Sequence, residues 1–112
     1  MKVELLYTDL CPHYKEALHI LQDILKEIGS GKPITMTRIR TEKDANEHRF
    51  SGSPTVRING KDVDPKFRDN GTYGLRCRVY FFEGNFHPFP PPGMVRETIT
   101  LLNRRNERNG SH

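Results

Sequence analysis

Asn59-Gly60 constrains the fold of this chain more tightly than any other pair of neighbours. Both residues tolerate the left-handed backbone of a two-residue hairpin turn, and extended runs flank them: Thr55-Val56-Arg57-Ile58 before, Lys61-Asp62-Val63-Asp64 after. Counting outward from the turn pairs Ile58 with Lys61, Val56 with Val63 and Thr55 with Asp64. The hairpin therefore brings the chain back beside Pro54.

Upstream, residues 2–8 carry Val3, Leu5, Leu6 and Tyr7, a short apolar run that suits a strand buried on both faces of a sheet. From Pro12 the apolar residues Tyr14, Ala17, Leu18, Leu21, Leu25 and Ile28 recur at steps of three and four, one stripe along a helix. Pro12 stands where proline is favoured, at the first helical position, and Gly29-Ser30-Gly31 stops the helix. Residues 34–40 alternate poorly and carry Arg38 and Arg40, as an edge strand does. Thr41 followed by Glu42, Asp44 and Glu47, with Ala45 and Phe50 along one side, reads as a short helix with its acids toward the N-terminus.

Beyond the hairpin, residues 65–76 form a loop rich in Asp, Asn and Gly, and residues 77–82 are β-like up to Glu83-Gly84-Asn85. Pro90, Pro91 and Pro92 precede a last amphipathic helix with Met94, Val95, Thr98, Ile99 and Leu102 on one face. The order is β-α-β-α-β-β, an excursion, then α. This predicts one α/β domain over residues 1–103, with a polar, Arg-rich, frayed tail over 104–112.

A chain of 112 residues holds one hydrophobic core, which excludes a multidomain enzyme. Eighteen Lys and Arg against fourteen Asp and Glu give a net charge of +4, enough to attract anions and too small to name a partner. The only N-terminal apolar run, residues 3–7, is interrupted by Glu4 and falls short of a signal-peptide core or a membrane span. The expected setting is cytoplasmic, with reduced thiols. Two cysteines, Cys11 and Cys77, cannot supply the bridges of a secreted mini-protein.

Cys11-Pro12 carries the clearest chemistry. A strand that ends there and opens a helix places a thiol against unpaired backbone N–H groups and the positive end of the helix dipole, which favours the thiolate. In such positions a cysteine pKa near 8.5 falls to roughly 3.5–7.5. His13 adds positive charge when protonated. Arg76 and Arg78 flank Cys77 and would act on its thiol in the same way.

The first strand, Cys11-Pro12-His13-Tyr14 at the head of a long helix, and Ser53-Pro54-Thr55 before the hairpin together resemble the thioredoxin superfamily over most of the chain. The resemblance implies a thioredoxin-like, four-stranded mixed sheet in the order 2-1-3-4, flanked by helices on both faces, with Pro54 cis and facing Cys11. It also implies that Pro12, His13, Tyr14, Ser53, Pro54 and Thr55 line a peptide-docking edge. Tyr14 stands where a Cys-x-x-Cys motif has its second cysteine, so an ordinary dithiol thioredoxin is excluded. Two arrangements remain open: a one-thiol exchanger resolved by an outside thiol, or a pair made between Cys11 and Cys77. The excursion starts and ends on the Cys11 side, and a bridge needs Cα atoms about 4.4–6.8 Å apart.

The stretch from Gly52 to Pro65, with Tyr73-Gly74-Leu75-Arg76-Cys77-Arg78-Val79-Tyr80, is similar to short bacterial thioredoxin-like proteins, some labelled alkylmercury-lyase-like. That similarity implies paired thiols and an affinity for soft cations such as Hg(II), Cu(I) or Cd(II). The first functional expectation is thus a thiol–disulfide redox protein with Cys11 as nucleophile and Cys77 as partner thiol, acting on a thiol- or disulfide-bearing protein or peptide. The second is a non-catalytic protein that holds a soft metal ion on the two thiolates or serves as an interaction scaffold.

Other readings are weaker. A zinc site from Cys11, His13, Cys77 and His87 lacks the spacing of a structural module. Glutathione binding of the glutaredoxin kind is disfavoured because Asp64-Pro65 replaces the Gly-Gly turn of that family, although Lys61 and Thr55 are left as candidate contacts for a peptide. Tyr80, Phe81 and Phe82 are expected to pack on the core rather than to stack on nucleic acid. Phe86 and Phe89 stand out as a small candidate knob beside the proline-rich connector. No cofactor and no membrane partner are expected.

Overall fold

The structure is a computed structural model that describes the backbone of residues 1–110 and the side chains of residues 1–104. Strand β1 (Val3–Tyr7) alternates its side chains across the sheet: Val3 and Leu5 enter one core cluster and Leu6 the other. Helix α1 (Tyr14–Glu27) starts two residues later than the proline position predicts, because Pro12 lies in the turn ahead of it and His13 is the cap. It buries Ala17, Leu21, Ile24 and Leu25. Ile28, assigned to the stripe from sequence, is 45% exposed instead. The helix ends there: Gly29 takes a φ of 70° and the Ser30 N–H donates back to the Leu25 carbonyl at 2.8 Å.

Strand β2 (Ile34–Arg38) lies at the sheet edge, as its weak alternation predicts, and runs parallel to β1. Helix α2 (Glu42–Glu47) is capped by Thr41, whose side chain accepts from the Asp44 N–H at 3.0 Å. Ala45 and Phe50 are fully buried beneath it. Strands β3 (Thr55–Ile58) and β4 (Lys61–Asp62) form the hairpin about Asn59-Gly60, with Ile58 opposite Lys61 and Arg57 opposite Asp62. The Val63 N–H donates to the Val56 carbonyl at 3.1 Å, which continues the counted register one step beyond the strand. β3 is antiparallel to β1.

The result is an α/β fold with a mixed four-stranded sheet in the order β2-β1-β3-β4, as expected. Between the sheet and helix α3 (Pro92–Gly110) stands a separate hairpin, β5 (Tyr80–Phe82) and β6 (Asn85–His87). Only its first strand was expected from sequence; Glu83 and Gly84 turn it with φ of 50° and 81°. The expected tail from 104 onward lies partly on α3, which continues to Gly110, and Ser111 and His112 lie outside the described residues.

Helices cover both faces. On one, α1 and α3 pack Leu21, Ile24, Met94, Val95 and Ile99 against Val3, Leu5, Val56 and Ile58, with Tyr80 among them. On the other, Leu6, Ile39, Ala45 and Phe50 form a smaller cluster that Tyr73 and Leu75 cover from the excursion. Each such fully buried large side chain contributes about 1.5–3 kcal/mol. Among the described residues no helix is long and apolar enough to cross a membrane.

Candidate functional site

At the end of β1 the Cys11 N–H donates to the Thr8 carbonyl at 3.2 Å, a tight turn that sets Cys11 immediately ahead of α1. The Thr8 N–H in turn donates to Ser53 Oγ at 3.1 Å, tying the strand end to the loop before β3. In that loop the Ser53–Pro54 peptide bond is cis. Three short segments therefore meet at one end of the sheet: the head of α1, the Ser53-Pro54 loop and the excursion.

Around Cys77 the excursion joins this end through backbone bonds to Ser53. The Ser53 N–H donates to the Arg76 carbonyl at 2.8 Å, and the Arg78 N–H donates to the Ser53 carbonyl at 2.9 Å, so Cys77 lies in register beside Ser53. Gly52 permits this approach, since a Cβ built there would stand 2.8 Å from the Arg78 Cβ. Cys77 is bonded to Cys11 as a disulfide, with the Cα atoms 5.7 Å apart. The reduced thiols expected with a cytoplasmic setting give way to a bridge, because the Ser53 pairing brings the two chain segments within bonding reach. Of the two open arrangements, the structure holds the Cys11–Cys77 pair.

Arg78 locks the segment from behind. Its guanidinium donates to both carboxylate oxygens of Asp62 at 2.7 Å and to Thr55 Oγ1 at 3.3 Å, and it lies 4.3 Å from the ring centre of Tyr80 and 4.7 Å from that of Phe67. Both side chains of the ion pair are only 9% exposed. Burial works against the Arg78 charge, and the hydrogen bonds to Asp62 overcome it, so the guanidinium stays above its ordinary value. The fully buried Tyr80 phenol is pushed up by desolvation and donates to the Pro54 carbonyl. Arg78 is thus committed to Asp62 rather than turned toward the Cys77 sulfur. This hub was not legible in the sequence, which shows Arg78 only as a cation beside a cysteine.

The remaining expected site residues divide by exposure. Pro12 and His13 are exposed, and His13 Nδ1 stands 3.2 Å from Glu16 Oε2. Tyr14 stacks on Tyr7 with ring centres 4.2 Å apart. Ser53, Pro54 and Thr55 are buried, and the Thr55 hydroxyl donates to the Gly52 carbonyl at 2.6 Å. A groove of about 370 Å³ lies next to the bridge along the chain, between Leu10 and Leu75, with Arg38, Ile39 and Arg40 in its wall.

The four residues weighed for zinc are not gathered: His87 lies on β6, and among the described residues no three His, Cys, Asp or Glu side chains converge on one point. Tyr80 enters the core as expected, whereas Phe81 is 45% exposed and packs on Phe86 across the hairpin, ring centres 5.0 Å apart. Phe89 packs against the larger core cluster, so the two residues of the candidate knob part company. Chemically, the site holds one disulfide whose halves differ in exposure: Cys11 is 1% exposed, Cys77 is exposed. No protein-family model matches the chain, and neither a curated protein nor a solved structure matches it.

Proposed function

We propose that this chain is a thioredoxin-like thiol–disulfide exchange protein that cycles between the Cys11–Cys77 disulfide and two thiols. The observation that carries the reading is the bridge itself, at the head of α1 and beside the cis Ser53–Pro54 bond. Two features support it: the sheet order, and a second sulfur on a segment that pairs in register with Ser53 and so meets Cys11 just ahead of α1. Exchange moves two electrons: a partner dithiol loses them and the bridge gains them, or the reverse. The partner is a thiol- or disulfide-bearing protein or peptide. In a reducing cytoplasm the dithiol would be the resting form and the disulfide the charged one.

The test is the thiol-driven reduction of a disulfide-bonded peptide, followed with the wild-type chain and with Cys11→Ser and Cys77→Ser. Wild type should exceed the background thiol rate by about tenfold or more, and each substitution should remove the gain. A wild-type rate equal to the background would sink the proposal.

The convergence of the two sulfurs also favours a second reading, in which the reduced pair binds a soft cation such as Hg(II) or Cu(I) as a two-thiolate set. Titration of the reduced chain with Hg(II), read by thiolate absorption, should then saturate at one ion per chain. Stoichiometry that survives the loss of either cysteine rejects it.

A further inference from the structure

We propose that Cys77, not Cys11, is the sulfur that carries the partner in the mixed disulfide, and that Cys11 acts only in the internal step. The assignment rests on the exchange reading above and reverses the roles expected from sequence.

Access decides which sulfur is attacked. In thiol–disulfide exchange the three sulfurs line up, so the incoming thiolate must approach the attacked atom from the side opposite its bonded neighbour. Cys11 is 1% exposed, enclosed between the end of β1, the head of α1 and the Cys77 segment. Cys77 is an exposed residue, so solvent reaches this half of the bridge and not the other.

The leaving group points the same way. Attack on Cys77 expels Cys11 as a thiolate three residues ahead of the first residue of α1, on the positive side of the helix dipole, and a better-stabilised thiolate leaves faster. Attack on Cys11 would expel Cys77, whose nearest-in-sequence buried cation, Arg78, is held by Asp62.

The steps balance as follows. A partner thiolate bonds to Cys77 Sγ while the electron pair of the bridge departs with Cys11 Sγ. The partner's second thiolate then attacks the partner sulfur and expels Cys77 as a thiolate, leaving the partner oxidised and both cysteines reduced. In the opposite direction the Cys11 thiolate attacks Cys77 Sγ, re-forms the bridge and releases the partner thiolate.

The test uses the oxidised wild-type chain and glutathione as a one-thiol probe. After brief reaction the mixture is acid-quenched, free thiols are blocked with N-ethylmaleimide, and the modified cysteines are located by peptide mapping. Glutathione on Cys77 with maleimide on Cys11 should exceed the inverse pattern by about tenfold or more, given the difference in access. Glutathione on Cys11, or evenly on both, overturns the assignment and leaves the exchange reading intact. A bridge that glutathione opens only in denaturant removes the exchange reading, and the assignment with it. Because the wild-type chain is used, misfolding of a cysteine variant cannot obscure the result.

Discussion

The β3–β4 hairpin and the excursion that follows it are held by opposite means. The hairpin is specified by its own residues: Asn59 and Gly60 take φ of 54° and 79°, and the register follows from the turn. Residues 65–79 have local turns, such as those closed by Asp69 and Asn70 on the Gly71 and Thr72 N–H groups, but these do not fix where the segment lies on the sheet. The segment is held by partners distant in sequence: Ser53 through its backbone, Asp62 through Arg78, Cys11 through a covalent bond, and Phe50, whose carbonyl accepts from the Gly74 N–H at 3.1 Å. A region held by a few remote anchors can be released by removing one of them, and the anchor that redox chemistry removes is the bridge.

The sharpest way to break the contrast is to reduce the chain. The bridge closes a loop between residues 66 apart, and its loss should cost about 4 kcal/mol on the chain-entropy relation. Denaturant unfolding of the oxidised and reduced forms measures this. Hydrogen exchange should then rise in the excursion first, with the amides of β1 and β3 still protected. Equal loss in both regions would show that they unfold as one unit.

Arg78→Ala comes next. It leaves the Asp62 carboxylate without its partner at a site only 9% exposed, a loss of about 3 kcal/mol. The same substitution should accelerate reduction of the bridge, since it frees the segment on which Cys77 sits. A pair of glycine variants sharpens the comparison further. Gly52→Ala forces a Cβ against Arg78 and should cost about 1–3 kcal/mol while speeding bridge reduction. Gly60→Ala, at a left-handed position with open space around it, should cost about 1 kcal/mol and leave the reduction rate unchanged.

The smallest effect is acid-driven. The Tyr73 hydroxyl, the Gly71 N–H and Arg49 hold the Asp69 carboxyl below its ordinary value of 3.8. Because the folded value is depressed, the contribution of this cluster is complete above pH 3.8 and is lost as the pH falls through the lower folded value. Tyr73 resonances should shift on acidification before those of the sheet, and Asp69→Asn should abolish that early step.

The same contrast explains what could be read from the sequence. The sheet order came from the resemblance, while the hairpin register, the cap at Thr41 and most of the α1 stripe are local signals that packing left in place. Ile28 escaped because a stripe pattern does not reveal where the helix ends. Cys11 stood out by its position before a helix, but its bond to Cys77 depends on a bridge to Ser53 that no spacing encodes. Arg78 reads as a surface cation until Asp62, sixteen residues earlier, is placed across from it. The second strand of the β5–β6 hairpin was legible in principle, since Glu83-Gly84 is a turn pair between aromatic runs.

Ser53 offers no vacant backbone group in the oxidised protein, because its N–H and its carbonyl both engage the chain's own residues 76 and 78. Any extended peptide that recognises this edge competes with a tethered rival whose effective concentration is on the order of millimolar. Affinity there is consequently masked while the tether is fastened and uncovered once it is cut.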